Sequence, residues 1–152
     1  VGVHSQEETC MIGLRRALTE GDVCALLNRY SVSGLVFTRA ESEKPGHKPG
    51  HPLHEHFELL FHGVQPEQEV ERWEEFDRAV SWTVDRRTKK GIRRVDLRSR
   101  VHKISITPPD RVHLVFDWEP GYVSPLFFVR TLHPDLDPRA YTLTKIKLLR
   151  NK

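Results

Sequence analysis

Up to Gly91 the clearest apolar residues of this chain recur three and four apart, and beyond it they recur every second residue. A helical stripe and a pleated strand do not share a period, so the chain has to change its secondary structure there. Upstream, Val70, Trp73, Phe76, Val80 and Val84 fall on one stripe, acids crowd the first turns, and Arg86, Arg87, Lys89 and Lys90 close it as a helix dipole favours. The pattern predicts a long helix over 67–90. Downstream, 93–106 alternates, Pro108-Pro109-Asp110 turns the chain, 111–118 alternates with Val112, Leu114, Phe116 and Trp118 on one face, and 126–132 is a third run. An antiparallel meander over 93–132 follows, and helices packed on it make the expected class α+β.

The first third reads as helices and loop. Ser5-Gln6-Glu7-Glu8 has the S-x-x-E form of a capping box, with Met11, Leu14, Ala17 and Leu18 at helical spacing after it, so a helix is expected over 5–20. Asp22 opens a second, with Val23, Leu26, Leu27 and Tyr30 on one face, and the two would make a helical hairpin over 5–30. Residues 34–38 are a short β-branched and aromatic run, read as a strand. Residues 40–52, with Pro45, Gly46, His47, Pro49, Gly50, His51 and Pro52, read as a loop. Residues 53–62 carry both periods at once; Pro52 at a first helical position and Gly63 as a stop favour helix. Residues 143–149 fit a strand or a helix. At 152 residues the length is that of one domain, so 1–152 is expected to fold as a single domain.

The net charge of +3 conceals a strong segregation. Residues 1–85 hold 8 Lys and Arg against 15 Asp and Glu, whereas residues 86–152 hold 16 against 6. A basic half on a domain of ordinary composition is the electrostatic footprint of a surface that meets a polyanion. No run approaches the roughly 18 apolar residues of a membrane span, so a soluble domain without a membrane partner is expected. Cys10 and Cys24 lack C-x-x-C spacing and read as reduced thiols, which fits a cytoplasmic site of action while leaving the compartment open. The chain begins at Val1 rather than at a methionine, as a piece of a longer polypeptide, a processed chain or a chain carrying a tag remnant would.

Three groups of residues carry candidate chemistry. Arg86, Arg87, Lys89, Lys90, Arg93 and Arg94 put six cations in nine positions, and a strand continuing from Arg94 would align Arg98, Arg100 and His102 on one face about 7 Å apart. With Lys103 these form an expected nucleic-acid surface, and RNA is the expected partner, an acidic protein partner or inhibitor being the other. His54, His56, Glu58 and His62, following His47 and His51, are the alternative: imidazoles and carboxylates that either a helix or a strand would gather for a metal ion. Third, His102, His113 and His133, with Arg130, Thr131 and Tyr141, are the residue types that metal-free phosphodiester cleavage requires as base, acid and phosphate clamp. No P-loop, G-x-S-x-G, Rossmann glycine pattern or paired C-x-x-C is present, and no cofactor is expected.

From residue 34 to 132 the order of strand, helix, helix and basic three-stranded meander resembles that of RelE/ParE-type toxins and related metal-independent ribonucleases. The resemblance implies cleavage of messenger or transfer RNA by residues of the meander face, onto which Arg98, Arg100, His102, His113, Arg130 and Thr131 map, with His102, His113, Arg130 and Thr131 as the catalytic set. The helical hairpin and the histidine-rich loop are additions to a minimal toxin of that kind. The leading expectation is therefore an RNA-binding domain with a ribonuclease activity. The alternatives are a binding module without catalysis and a histidine-dependent metalloenzyme.

Overall fold

The computed structural model describes residues 3–6, 8–42, 50, 52–63, 67–107, 109–118 and 123–150. The chain divides into two compact units, one of residues 9–49 and one of residues 1–8 with 50–152. In chain order the elements are β1 (Val3–Ser5), α1 (Glu20–Tyr30), β2 (Pro52–Phe61), α2 (Glu67–Arg78), β3 (Thr83–Thr88), β4 (Gly91–Asp96), β5 (Val101–Thr107), β6 (Arg111–Asp117), α3 (Pro125–Leu132) and β7 (Tyr141–Arg150). The chain is α+β, as its sequence predicts, with an antiparallel sheet as its main body.

The smaller unit is built on α1. Thr19 caps it, its hydroxyl accepting from Asp22 N at 3.1 Å. The Asn28 side chain then holds both backbone groups of Phe37, donating to its O at 2.9 Å and accepting from its N at 2.7 Å. The expected strand at 34–38 does not form; its backbone is tied to a helix side chain instead. The expected helix over 5–20 is absent too. Ser5 ends β1, Gln6 N donates to Lys145 O, and the Glu8 carboxylate accepts from Lys145 Nζ at 3.1 Å, so Ser5, Gln6 and Glu8 of the capping pattern serve the sheet of the larger unit, to which residues 1–8 belong. The histidine-bearing stretch 43–49 and His51 lie outside the described residues.

The larger unit carries a five-stranded sheet in the order β1-β7-β2-β6-β5, in which β1 runs parallel to β7 and the other pairs are antiparallel. Its central strand, β2, lies where the sequence balance favoured helix. The alternation won because every second residue from Glu55 to Phe61 is buried and both edges of β2 are paired, with β6 and with β7. Phe57, Leu59 and Phe61 join Val112, Leu114, Phe116, Tyr141 and Leu143 on one face of the sheet, where Trp73 and Phe76 of α2 and Phe128, Val129 and Leu132 of α3 complete the core. Phe128 is its centre, with ring centroids 5.0 Å from Phe76, 5.3 Å from Phe116 and 6.0 Å from Trp73.

Two helical and strand boundaries differ from expectation, each for a local reason. The helix expected over 67–90 stops at Arg78. Val70, Trp73 and Phe76 belong to its stripe, but Val80 is 98% exposed and Val84 lies on β3, so the basic run 86–90 is part of a β-hairpin and not a helix end. The run 126–132, expected as the third meander strand, is α3: Pro125 stands in its first turn, and Pro125, Phe128, Val129 and Leu132 bury one face at 0, 3, 4 and 7.

The remaining expected strand, 93–106, is two strands in two sheets. β4 pairs only with β3, β5 pairs with β6, and a 3-10 turn at Arg98–Arg100 separates them. Asp96 makes the break: its carboxylate accepts from Trp82 N at 2.8 Å and from Arg98 N at 3.0 Å. These backbone hydrogen bonds, Trp82 foremost, hold its pKa below the usual value. Replacing Asp96 by alanine is expected to cost about 1.5–3 kcal/mol, the range for hydrogen bonds to a charged group. Urea unfolding checks this, as a lower midpoint at unchanged slope.

Candidate functional site

Because side chains alternate along a strand, burying Glu55, Phe57, Leu59 and Phe61 directs His54, His56, Glu58 and Leu60 to the opposite face of β2. On the neighbouring β6 the same face receives Arg111, His113, Val115 and Asp117, since Val112, Leu114 and Phe116 are in the core. The antiparallel register sets His54 opposite Asp117, His56 opposite Val115 and Glu58 opposite His113. A bulge in β5 between Val101 and Lys103 adds His102 as an extra residue, and its side chain meets Asp117 on this face.

Four imidazoles thus gather in two pairs, His54 with His102 at 4.5 Å between centroids and His56 with His113 at 5.3 Å. Asp117 Oδ1 lies 2.9 Å from His54 Nδ1 and 3.6 Å from His102 Nδ1. His56 is held below its usual pKa, first by burial and then by the neighbouring His113, His54, Lys147 and His102. It stays neutral at pH 7, and its Nε2 is a buried atom without a hydrogen-bond partner. Lys147 is its register partner on β7.

The residues singled out in the sequence separate into those this face collects and those it does not. His54 and His56 from the metal alternative and His102 and His113 from the catalytic set come to the same face. Glu58 pairs with Arg111 at 3.1 Å, and His62 is held at the end of β2, its Nδ1 3.0 Å from Arg139 O and its Nε2 2.8 Å from Thr142 Oγ1. The quartet His54, His56, Glu58 and His62 is therefore not one cluster. Arg130 and Thr131 are on α3, which packs against the core face, so they do not share a face with His102 and His113. Asp117 was missed, although its parity with His113 in the alternating run 111–118 was readable.

The basic residues also divide. Arg86, Arg87, Arg93 and Arg94 sit on the β3–β4 hairpin and Lys89 and Lys90 form its turn, closed by Gly91 at a φ of 118°. Arg98 and Arg100 do not continue them as a stripe. Arg98 donates to Val101 O at 2.8 Å, lies 3.4 Å from Asp77 Oδ1 and stacks over Phe76 at 5.9 Å, while Arg100 has two buried guanidinium nitrogens. Both serve the turn that separates the sheets. Lys103 is exposed on β5, opposite Val115 of the histidine-bearing face.

His133, the other histidine of the acid-base group, is in the core, its ring 4.3 Å from Trp73 and its Nδ1 against Glu69 Oε2. Burial pushes its pKa down to about 4.

The class defined by these features is an α+β domain whose sheet packs helices on one face and presents histidines and a carboxylate on the other. The chain belongs to the DUF2344 family, described as an uncharacterized protein conserved in bacteria, whose profile matches residues 1–124. That span holds the basic hairpin, the four histidines of the sheet face and Asp117, and it ends before α3 and β7. No curated protein and no solved structure matches the chain.

The His133 environment predicts an acid limb in stability. The group is neutral in the fold but protonates when unfolded below its ordinary value near 6.5. Its contribution is complete above pH 6.5 and lost as pH falls toward about 4. The loss is at most about 3–4 kcal/mol. Unfolding midpoints across this range should flatten in His133→Leu relative to wild type.

Proposed function

We propose that this domain binds RNA through the β3–β4 ribbon. The observation that carries this reading is the ribbon's register, which sets Arg86 directly opposite Arg93. Like charges facing one another across a strand pair are destabilising, and an anion lying over the ribbon removes that repulsion. Lys89 and Lys90 extend the positive charge around the turn. On the ribbon's other face Arg94 has a partial counter-charge, Asp85 at 3.7 Å, both side chains being exposed.

Both faces suit a nucleic-acid strand. Arg86 is positioned over the Phe127 ring at 5.4 Å, which orders its guanidinium beside Arg93 for phosphate contact. On the other face Arg87 stands opposite Ile92, which is 75% exposed, next to Arg94. Guanidinium planes and apolar surface of this kind stack on the splayed bases of single-stranded RNA. Cleavage is not part of the reading, because His102 and His113 are separated from Arg130 and Thr131 by the thickness of the sheet and core.

Fluorescence anisotropy with a structureless RNA tests this. If all six ribbon cations contact phosphates, the logarithm of the affinity should fall with log salt at a slope of about −4. Arg93→Glu replaces the facing cations by an ion pair, so it should raise or preserve the melting temperature while weakening RNA binding at least about tenfold, the two effects together marking function rather than damage. Unchanged RNA affinity in that variant would sink the proposal. Tighter binding of duplex DNA at the same salt would overturn the choice of RNA.

A further inference from the structure

The structure assigns a divalent transition-metal site, with zinc the ion that suits it best, to His54, His102 and Asp117. Each contributes one donor atom, and the three atoms lie within 4.8 Å of one another. With metal bonds of about 2.0–2.2 Å, these donors need only a small closure around an ion. The donors come from three adjacent strands, β2, β5 and β6, which fixes them from independent directions.

Two features distinguish this group from the solvated outer face of a sheet. The β5 bulge supplies His102 as an extra residue, so the residue that completes the group is the one that breaks the ladder. His54 Nδ1 is a buried atom that lies 2.9 Å from Asp117 Oδ1 without the geometry of a hydrogen bond. A buried polar nitrogen without a bond is costly, and coordination of an ion between it and the carboxylate satisfies it.

The donor set selects the ion. Two imidazoles and one carboxylate suit zinc, iron, cobalt or nickel, whereas magnesium and calcium call for oxygen ligands. The His102 side chain is 56% exposed and that of Asp117 30%, so the outward side of the ion faces solvent and a further position remains for water. That is the arrangement of zinc sites with an exchangeable fourth ligand. The site is separate from the ribbon and does not depend on RNA binding.

Titration of the purified chain with zinc or cobalt chloride, followed by calorimetry and by the visible absorption of cobalt, tests the assignment. One ion per chain is expected, with a rise in melting temperature. His102→Gln, at an exposed position, and Asp117→Asn should each lower the affinity at least tenfold and diminish the cobalt bands, with cooperative unfolding retained. His47→Gln combined with His51→Gln should leave the affinity unchanged. Absence of binding at micromolar ion, full binding in either His102→Gln or Asp117→Asn, or loss of binding in the His47 and His51 variant would each overturn the site.

Discussion

Everything distinctive about the larger unit follows from the alternation of β2. A strand has two faces, and once Phe57, Leu59 and Phe61 are committed to the core, His54, His56 and Glu58 have nowhere to go but the other side. A slip of one residue would bury the histidines and expose the phenylalanines, so the core energy that holds the fold also holds the site. Pairing along both edges of β2 makes the slip doubly unfavourable, since β6 and β7 would have to follow.

Charge is buried where the strands need locking. Lys145 of β7 projects to the core side and lies 3.1 Å from Glu55 of β2 and 3.1 Å from Glu8 just beyond β1. Burial alone would lower its pKa, but the hydrogen bonds and charges of Glu55 and Glu8 outweigh it and hold the ammonium charged. One cation therefore ties three neighbouring strands, and breaking it by removing a single partner would leave a buried charge. Asp96 does comparable work at the base of the ribbon, where its hydrogen bonds end one sheet and start the next. No described helix is long and apolar enough to cross a membrane.

The ribbon and the sheet face have opposite chemical characters. The ribbon concentrates fixed positive charge on two exposed strands with few counter-ions among the described residues, which suits contact with a polyanion. The sheet face presents imidazoles around a carboxylate, which suits a localised cation. Lys103 and Lys147 border that face and keep its net character mixed. Both proposals draw on residues within the span that the family profile matches.

What the sequence alone determined was the class, the alternating runs and the residue types available: the α+β class, the apolar stripe of α2, the strand of β6 with its turn before it, and the concentration of basic residues after residue 85 were all readable. Local pattern suffices there because each segment has one dominant period. It failed where two periods coexist or a tertiary partner intervenes: β2 carries both, the Ser5 to Glu8 capping pattern is taken by Lys145, and Pro125 to Leu132 has the apolar density of a strand but buries a helical face. The candidate site was legible only in pieces. His54 and His102 are 48 positions apart, and neither sequence distance nor motif reveals that a register and a single bulge bring them to one carboxylate. Arg98 and Arg100 show the converse, since an apparent stripe dissolves once Asp96 turns the chain. Residue types and periods are properties of the chain, but convergence is a property of strand pairing, which is decided by the burial of whole faces at once.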